Sequence, residues 1–353
     1  MIRIESIAVG MDTPYHDFLL CDERSLIYAT LEYRDFLLRA VGGKATYLVA
    51  RDEQGQIVGV LPFFSIESPG IGTVINSLPW YGSYGGCIVT GNHAALARRE
   101  LLNQFRSHAE APGVLSATVI LSPFEEEFLP VYRDTLSPSA YDHRIGQLTQ
   151  LPTLTDKTEK ELEAKLQQKT RNLARKSLKQ GFDLRERNDE EAWKFLYETH
   201  VENMLAVQGK HKPWDHFVAL REALPPGSRR LLIAELGGLP VAGLLLLYFN
   251  KTVEYVTPVI KLAYRSQQPL SFLIWYGMLD AIRQGYSWWN WGGTWVSQES
   301  LHHFKAGWGA IDMPYTYVIA SSPAGRAKLS EHRANLGELF PFFYTYPYAQ
   351  LCQ

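Results

Sequence analysis

The reactive options of this chain concentrate between Ser287 and Ala310, SWWNWGGTWVSQESLHHFKAGWGA. Lys305 stands beside Phe304 and ahead of Gly307 and Gly309, and the nearest acids in sequence are Glu299 and Asp312. A lysine so placed can stabilise charge developing on a carbonyl oxygen, or grip a phosphate. Trp288, Trp289 and Trp291 suit a strand, which favours bulky rings. Gly292-Gly293 is expected to end that strand, because glycine adopts φ > 0 freely. A short helix over Ser297–His303 and a loop carrying Phe304-Lys305 should follow. Ligands of open α/β sheets bind beyond the carboxyl ends of strands, so the site is expected here. The competing reading is a buried Trp strand followed by an ordinary loop. Glu254, on a strand expected over Thr252–Lys261, is the candidate general base, with substrate-assisted proton transfer as its alternative.

Three further groups of residues could bind. Lys165 to Arg187 holds eight Lys or Arg against Asp183 and Glu186. Arg171 and Arg175 share a helix face there, and arginine forks suit phosphate oxygens; the plain alternative is a solvated helix face. His200, Lys210, His211, Lys212, Pro213, Trp214 and His216 cluster after a helix. Their spacing is not that of a structural zinc site, so no metal is expected; they form either a substrate-facing loop or a polar connector. Trp80, Tyr81 and Tyr84 with Gly82, Gly85 and Gly86 make an aromatic loop that either stacks on a sugar or peptide or serves as packing. Gly-x-Ser-x-Gly, HExxH and P-loop patterns are absent, which leaves covalent serine or cysteine chemistry without support.

A strand ending in an apolar residue plus Gly-Gly, then a short helix, then Phe304-Lys305-Ala306-Gly307-Trp308-Gly309-Ala310, resembles the second domain of the Fem family of aminoacyltransferases, which build peptidoglycan cross-bridges. It also looks like related acetyltransferase-like proteins of envelope polysaccharide clusters. The resemblance covers Leu162–Tyr317 well and Gly42–Leu121 loosely. It implies two tandem N-acetyltransferase-type (GNAT) domains and an N-acyltransferase acting on an amine of an envelope or polysaccharide precursor. The donor would be an aminoacyl-tRNA or an acyl-CoA, with no tightly bound cofactor. It implies Phe304, Arg265, Gln268, Gly292, Gly293 and Trp295 on the donor side. Arg171, Arg175, His200, Tyr81 and Tyr84 would serve a small-molecule or lipid-linked amine acceptor. Acetyl-CoA-dependent GNAT proteins place an Arg or Gln and a glycine-bearing turn before a helix. The matching Tyr264-Arg265-Ser266-Gln267-Gln268-Pro269-Leu270 keeps Arg265 but lacks the glycines, and Pro269 removes an N–H. Fem-like proteins lack those glycines too. The reading of another class is a degenerate tandem domain that only binds a glycan or precursor.

These residues need an α/β scaffold. A chain of 353 residues, 46% hydrophobic and 20% charged, suffices for two domains with ample core. A net charge of −2 argues against a DNA-binding role. Cys21, Cys87 and Cys352 suit a reducing compartment. The start lacks a long apolar run, so a cytoplasmic protein is expected, touching the inner membrane face where its substrate does. Period-2 runs at Ala45–Ile66 and Arg230–Phe249 read as two hairpins. Each is preceded by helices and followed by strand, helix and strand, with Ala50…Gly59 and Ala234…Gly243 equally spaced. This repeat places domains at 1–152 and 153–353, each a mixed twisted sheet flanked by helices. Thr155–Gly181 reads as one helix, and Pro123–Leu151 as irregular.

Overall fold

The computed structural model describes residues 2–7, 12–80, 84–294 and 298–351. The chain forms two compact units, residues 1–144 with 314–353, and residues 145–313.

The first unit holds strands β1 (Arg3–Ser6), β2 (Lys44–Arg51), β3 (Ile57–Ser68), β4 (Gly72–Asn76), β5 (Ile88–Val89), β6 (Val114–Ile120) and the start of β7 (Ala140–Gln150). Its helices are α1 (Asp12–Leu20), α2 (Leu31–Ala40), α3 (Ala94–Ala109) and α4 (Leu129–Leu136). Strands run in the order β1-β2-β3-β4-β6, antiparallel until the parallel joint of β4 with β6. The second unit holds α5 (Thr158–Lys165), α6 (Gln168–Ser177), β8 (Asp183–Glu186), α7 (Glu190–Ala206), α8 (Trp214–Ala223), β9 (Arg229–Leu236), β10 (Leu239–Phe249), β11 (Thr252–Ile260), α9 (Pro269–Arg283), β12 (Trp288–Thr294) and α10 (Glu299–Gly307). Its order is β8-β9-β10-β11-β12-β7, again three antiparallel joints and then a parallel one, β11 with β12. Identical order and direction make the two units a repeat of one mixed α/β fold.

β13 (Ile311–Ala320), α11 (Pro323–Glu331) and α12 (Leu336–Leu339) complete the chain. Residues from Pro314 onward belong to the first unit, where Tyr317–Ala320 pair with Ile120–Ala117. The expected division at 152/153 gave them to the second domain, because the chain order hides this return.

Each core is amphipathic packing of the usual kind. Helix α9 buries Phe272, Leu273, Trp275, Met278 and Ile282 against Leu244, Leu246 and Trp289 of the second sheet. Pro269 starts that helix, where its missing N–H costs nothing. Helix α3 buries Leu101, Leu102 and Phe105 against Leu61, Phe63 and Val119 in the first unit. β8 is exposed throughout and carries charge at Asp183, Arg185 and Glu186, as suits an edge strand. No described helix is long and apolar enough to cross a membrane.

Three local expectations change. The segment read as irregular contains α4 and β7. β7 escapes hydrophobic patterning because Gln147 and Thr149, both fully buried, are polar. The single helix expected over Thr155–Gly181 is two, broken where Leu166 and Gln167 turn to extended backbone. The hairpins correspond, but their glycines do not. Val58 and Val241 are the extra residues of equivalent bulges, which sets Gly59 against Ala50 and Ala242 against Ala234. A Cβ on Gly59 would meet Ala97 and Leu101 of α3, whereas one on Gly243 would meet Leu196 of α7. A one-residue slip turns a side chain to the other face, and the equal sequence spacing concealed it.

Candidate active site

Pairing of β11 with β12 runs only over Thr252–Trp288, Val253–Trp289 and Glu254–Asn290. Beyond that rung β11 continues to Ile260 and β12 to Thr294, so the parallel strands part at their carboxyl ends. A bulge at Val256, opposite the Leu245–Leu246 step of β10, adds to the divergence. The crossover helix α9 begins at this end of the sheet, so its unpaired first N–H groups lie at the opening.

In the first unit the matching place is filled. The Ile120 N–H donates to Ser77 Oγ at 2.8 Å, and the Gly85 N–H to the Ile120 carbonyl at 2.7 Å. Asn76 exchanges two hydrogen bonds with the Tyr344 backbone, at 2.8 and 2.6 Å. A Cβ on Gly85 would lie 2.6 Å from Ser77 Oγ, so the Gly85 backbone packs tightly against this strand end. The open strand pair of the second unit is therefore the candidate site.

Lys305 holds this site together. It lies on α10, not on a loop, because the helix starts at Glu299 and runs through Gly307. Its side chain is buried, and Nζ donates to Gly292 O (3.2 Å), Gly293 O (3.1 Å) and Thr294 Oγ1 (2.8 Å). Thr294 Oγ1 in turn donates to Gln147 Oε1 at 2.8 Å, and Gln147 Nε2 to the His302 carbonyl at 3.2 Å. Gly292-Gly293 does not end β12. Gly292, at φ +75°, sits in a bulge between the Asn290 and Gly293 rungs, and Asn290 Oδ1 accepts its N–H. An ammonium has three protons, and these three contacts engage them all. In this arrangement Lys305 positions the end of β12 and has no proton left for a donor oxygen. Burial lowers its pKa to about 8.

Phe304 is 37% exposed and meets Trp291 edge-on, ring centres 6.0 Å apart. Trp291 is fixed by Nε1 donating to Thr149 Oγ1 at 2.9 Å, and it packs on Tyr255 of β11. An apolar wall thus lines one face of the opening. On the opposite face stand Glu254 and Asn290, both buried, in the last rung before the strands part.

The loop ahead of α9 carries Arg265, exposed, and Gln268. Gln268 takes the left-handed conformation, φ +64°, that a glycine would occupy more cheaply. It stabilises itself there: Nε2 donates to the Arg265 carbonyl at 3.0 Å and Oε1 accepts from Ser271 Oγ at 3.1 Å. The turn forms without a glycine.

The basic helix α6 reaches this same loop, with Lys176 Nζ donating to the Ser266 carbonyl at 3.0 Å. Its charge therefore lies beside the loop ahead of α9. Arg175 pairs both nitrogens with Glu163, at 2.9 and 2.7 Å, and Arg171 lowers the pKa of the same carboxyl through its charge. Tyr84 belongs to the first unit, buried edge-on between Tyr28 and Tyr315 at 5.6 and 4.9 Å. It packs the core and offers no stacking face. Tyr81 and Trp295 lie outside the described residues.

His200, on α7, is buried, and its Nε2 accepts the Lys212 N–H at 3.1 Å. Burial first, then the charges of Lys212 and His211, lower its pKa to about 4. A depressed histidine favours folding above its unfolded value near 6.5, and that stability is lost as pH falls toward 4. His200→Asn should therefore weaken the parent's loss of stability between those values, as measured by urea midpoints across the range. Equal acid sensitivity in both proteins would contradict a buried neutral His200. Lys212, noted in the sequence only as part of a polar cluster, donates from Nζ to Thr257 Oγ1 of β11 at 3.0 Å.

Residues 164–305 match the acetyltransferase (GNAT) domain family. Among solved structures the chain is similar to FemX, at 14% identity and TM-score 0.71 over 89% of this chain and 97% of that one. It is also similar to a tandem GNAT protein from the clavulanic acid biosynthesis pathway, at 11% identity and TM-score 0.54 over 91% and 98%. A third is the C-terminal domain of a putative lysylphosphatidylglycerol synthetase from Agrobacterium fabrum, at 14% identity and TM-score 0.54 over 92% and 95%. No curated protein matches the sequence. The chain thus has a tandem GNAT-like fold, and it is residues 164–305, within its second unit and including the open strand pair, that match the acetyltransferase (GNAT) domain family.

Proposed function

We propose that this protein is an N-acyltransferase that moves an acyl or aminoacyl group from a phosphate-bearing carrier to an amine of a cell-envelope or polysaccharide precursor. The observation that carries the reading is the open strand pair β11/β12 at the start of α9, in contrast to the packed strand ends of the first unit. An acyl chain would enter between the strands, along Phe304, Trp291 and Tyr255. The carrier's phosphates would meet the first turn of α9, Arg265 and the α6 cations, where N–H groups and arginine forks suit anions.

The extended cationic helix α6 favours a polyanionic carrier, an aminoacyl-tRNA. Arg265 and the preserved turn at Gln268 favour a second donor, acyl-CoA. Incubating the protein with each donor and candidate amines, and reading products by mass spectrometry, separates them. Replacing Arg265 by Gln together with Lys176→Met should raise the Kd of the true donor roughly 10- to 100-fold, since a charge-assisted bond contributes about 1.5–3 kcal/mol. The melting midpoint should hold, because exposed charges add little to folding. Unchanged donor affinity in the double variant, or failure of both donors to bind, would overturn this reading.

A further inference from the structure

Lys212 lies between α7 and α8, on a connector pinned to β11. Its Nζ donates to Thr257 Oγ1, and its backbone N–H to His200 Nε2. Its carbonyl lies 3.1 Å from His211 Nδ1. Thr257 follows the bulge residue Val256 and faces the same side of the sheet as Glu254, since they pair with Leu245 and Leu247 of β10. That is the α7 side, because a Cβ on Gly243, at the same parity of β10, would meet Leu196. Thr257 also lies beyond the last rung, Glu254–Asn290, so the amine of Lys212 stands at the edge of the opening.

Resting on the acyl transfer proposed above, we propose that Lys212 is a further catalytic residue: the base that takes the proton from the acceptor's ammonium. The neutral Lys212 amine keeps one N–H on Thr257 and offers its lone pair to the acceptor. The acceptor nitrogen loses a proton to Lys212 and attacks the acyl carbonyl. The C–N bond forms, the carbonyl's bond to the carrier sulfur or oxygen breaks, and the nitrogen's surplus proton leaves to solvent. The leaving group takes its proton from Lys212, which returns Lys212 to the neutral amine. No oxidant or metal enters. Burial lowers the pKa of Lys212 to about 8, which makes this neutral form accessible. Among the described residues, the ionisable groups beside it are His200 on α7 and His211 on its own connector, and Glu254 faces the same side of β11 as Thr257.

Two measurements test this. Acetic anhydride pulse-labelling of the intact protein across roughly pH 6–11, read peptide by peptide, gives the protonation midpoint of Lys212. A midpoint near 8 supports the proposal, and one with ordinary lysines at about 10.4 overturns it. The second is turnover of acetyl-CoA by Lys212→Arg, which keeps a cation but never deprotonates. The acceptors are glycinamide, largely an ammonium in neutral solution, and hydroxylamine, which is already neutral there. The variant should lose roughly 100-fold or more with glycinamide and stay near the parent with hydroxylamine. Equal retention of both activities overturns the proposal. If acetyl-CoA is consumed with neither acceptor by the parent, the choice of donor fails, and the labelling midpoint still decides on Lys212.

Discussion

Lys305→Met is expected to lower the melting midpoint by roughly 5–15 °C, as follows from a loss of about 2–4 kcal/mol in a unit of this size. Methionine keeps the stem of the side chain but leaves Gly292 O, Gly293 O and Thr294 Oγ1 without the ammonium they now share. Thr294 also anchors Gln147, so the loss extends into β7. The effect depends on pH in a definite direction. The folded pKa of Lys305 is lowered to about 8, while an unfolded lysine titrates near 10.4. Between these values the unfolded chain binds more protons, so the parent gains stability as pH rises. The gap between parent and variant should be smallest below pH 8 and widen toward about 10.4. Thermal melts of both proteins across that range provide the measurement. A variant that melts with the parent yet turns over 10²–10³ times more slowly, about the effect of losing one oxyanion donor, would return Lys305 to the donor.

The second large effect is expected at Gly309, within the most distinctive run of the chain. Gly309 has φ +77°, and a Cβ there would sit 2.9 Å from the Lys165 carbonyl oxygen at the end of α5. Alanine would bear the left-handed cost of about 1–2 kcal/mol and would push on backbone that cannot rotate away. Gly309→Ala should therefore cost about 2–4 kcal/mol in chemical denaturation, through strain at a special φ with crowding added. Gly307→Ala should cost less, although its Cβ would fall 2.3 Å from Thr170 Oγ1, because a side-chain hydroxyl can turn aside. The Gln167 N–H, which donates to the Gly307 carbonyl at 3.0 Å, fixes the same junction. These glycines let α5 and α6 approach α10. Parent-like stability in Gly309→Ala would contradict this packing role.

Local signals wrote much of the fold into the sequence. Alternation marked both hairpins, Pro269 marked the start of α9, and the recurrence of hairpin, strand, helix and strand marked the repeat. Each depends on φ preferences or burial period within a few residues, so each is legible from neighbours alone. The region of the candidate site rests on the same kind of signal: a Trp-rich strand running into Gly292-Gly293 and Phe304-Lys305 is a local pattern. The partners of those residues were not. Gln147 and Thr149 read as polar and irregular until Thr294, Trp291 and Trp308 satisfy them from far along the chain. Lys305 read as a charge awaiting a ligand until two carbonyls and a hydroxyl took its protons, and Lys212 as part of either a substrate-facing loop or a polar connector until Thr257 met it. Hydrogen-bond satisfaction of buried polar groups is non-local, so residue types and spacing narrow the choice of chemistry, and the tertiary structure decides which polar atoms remain for a substrate.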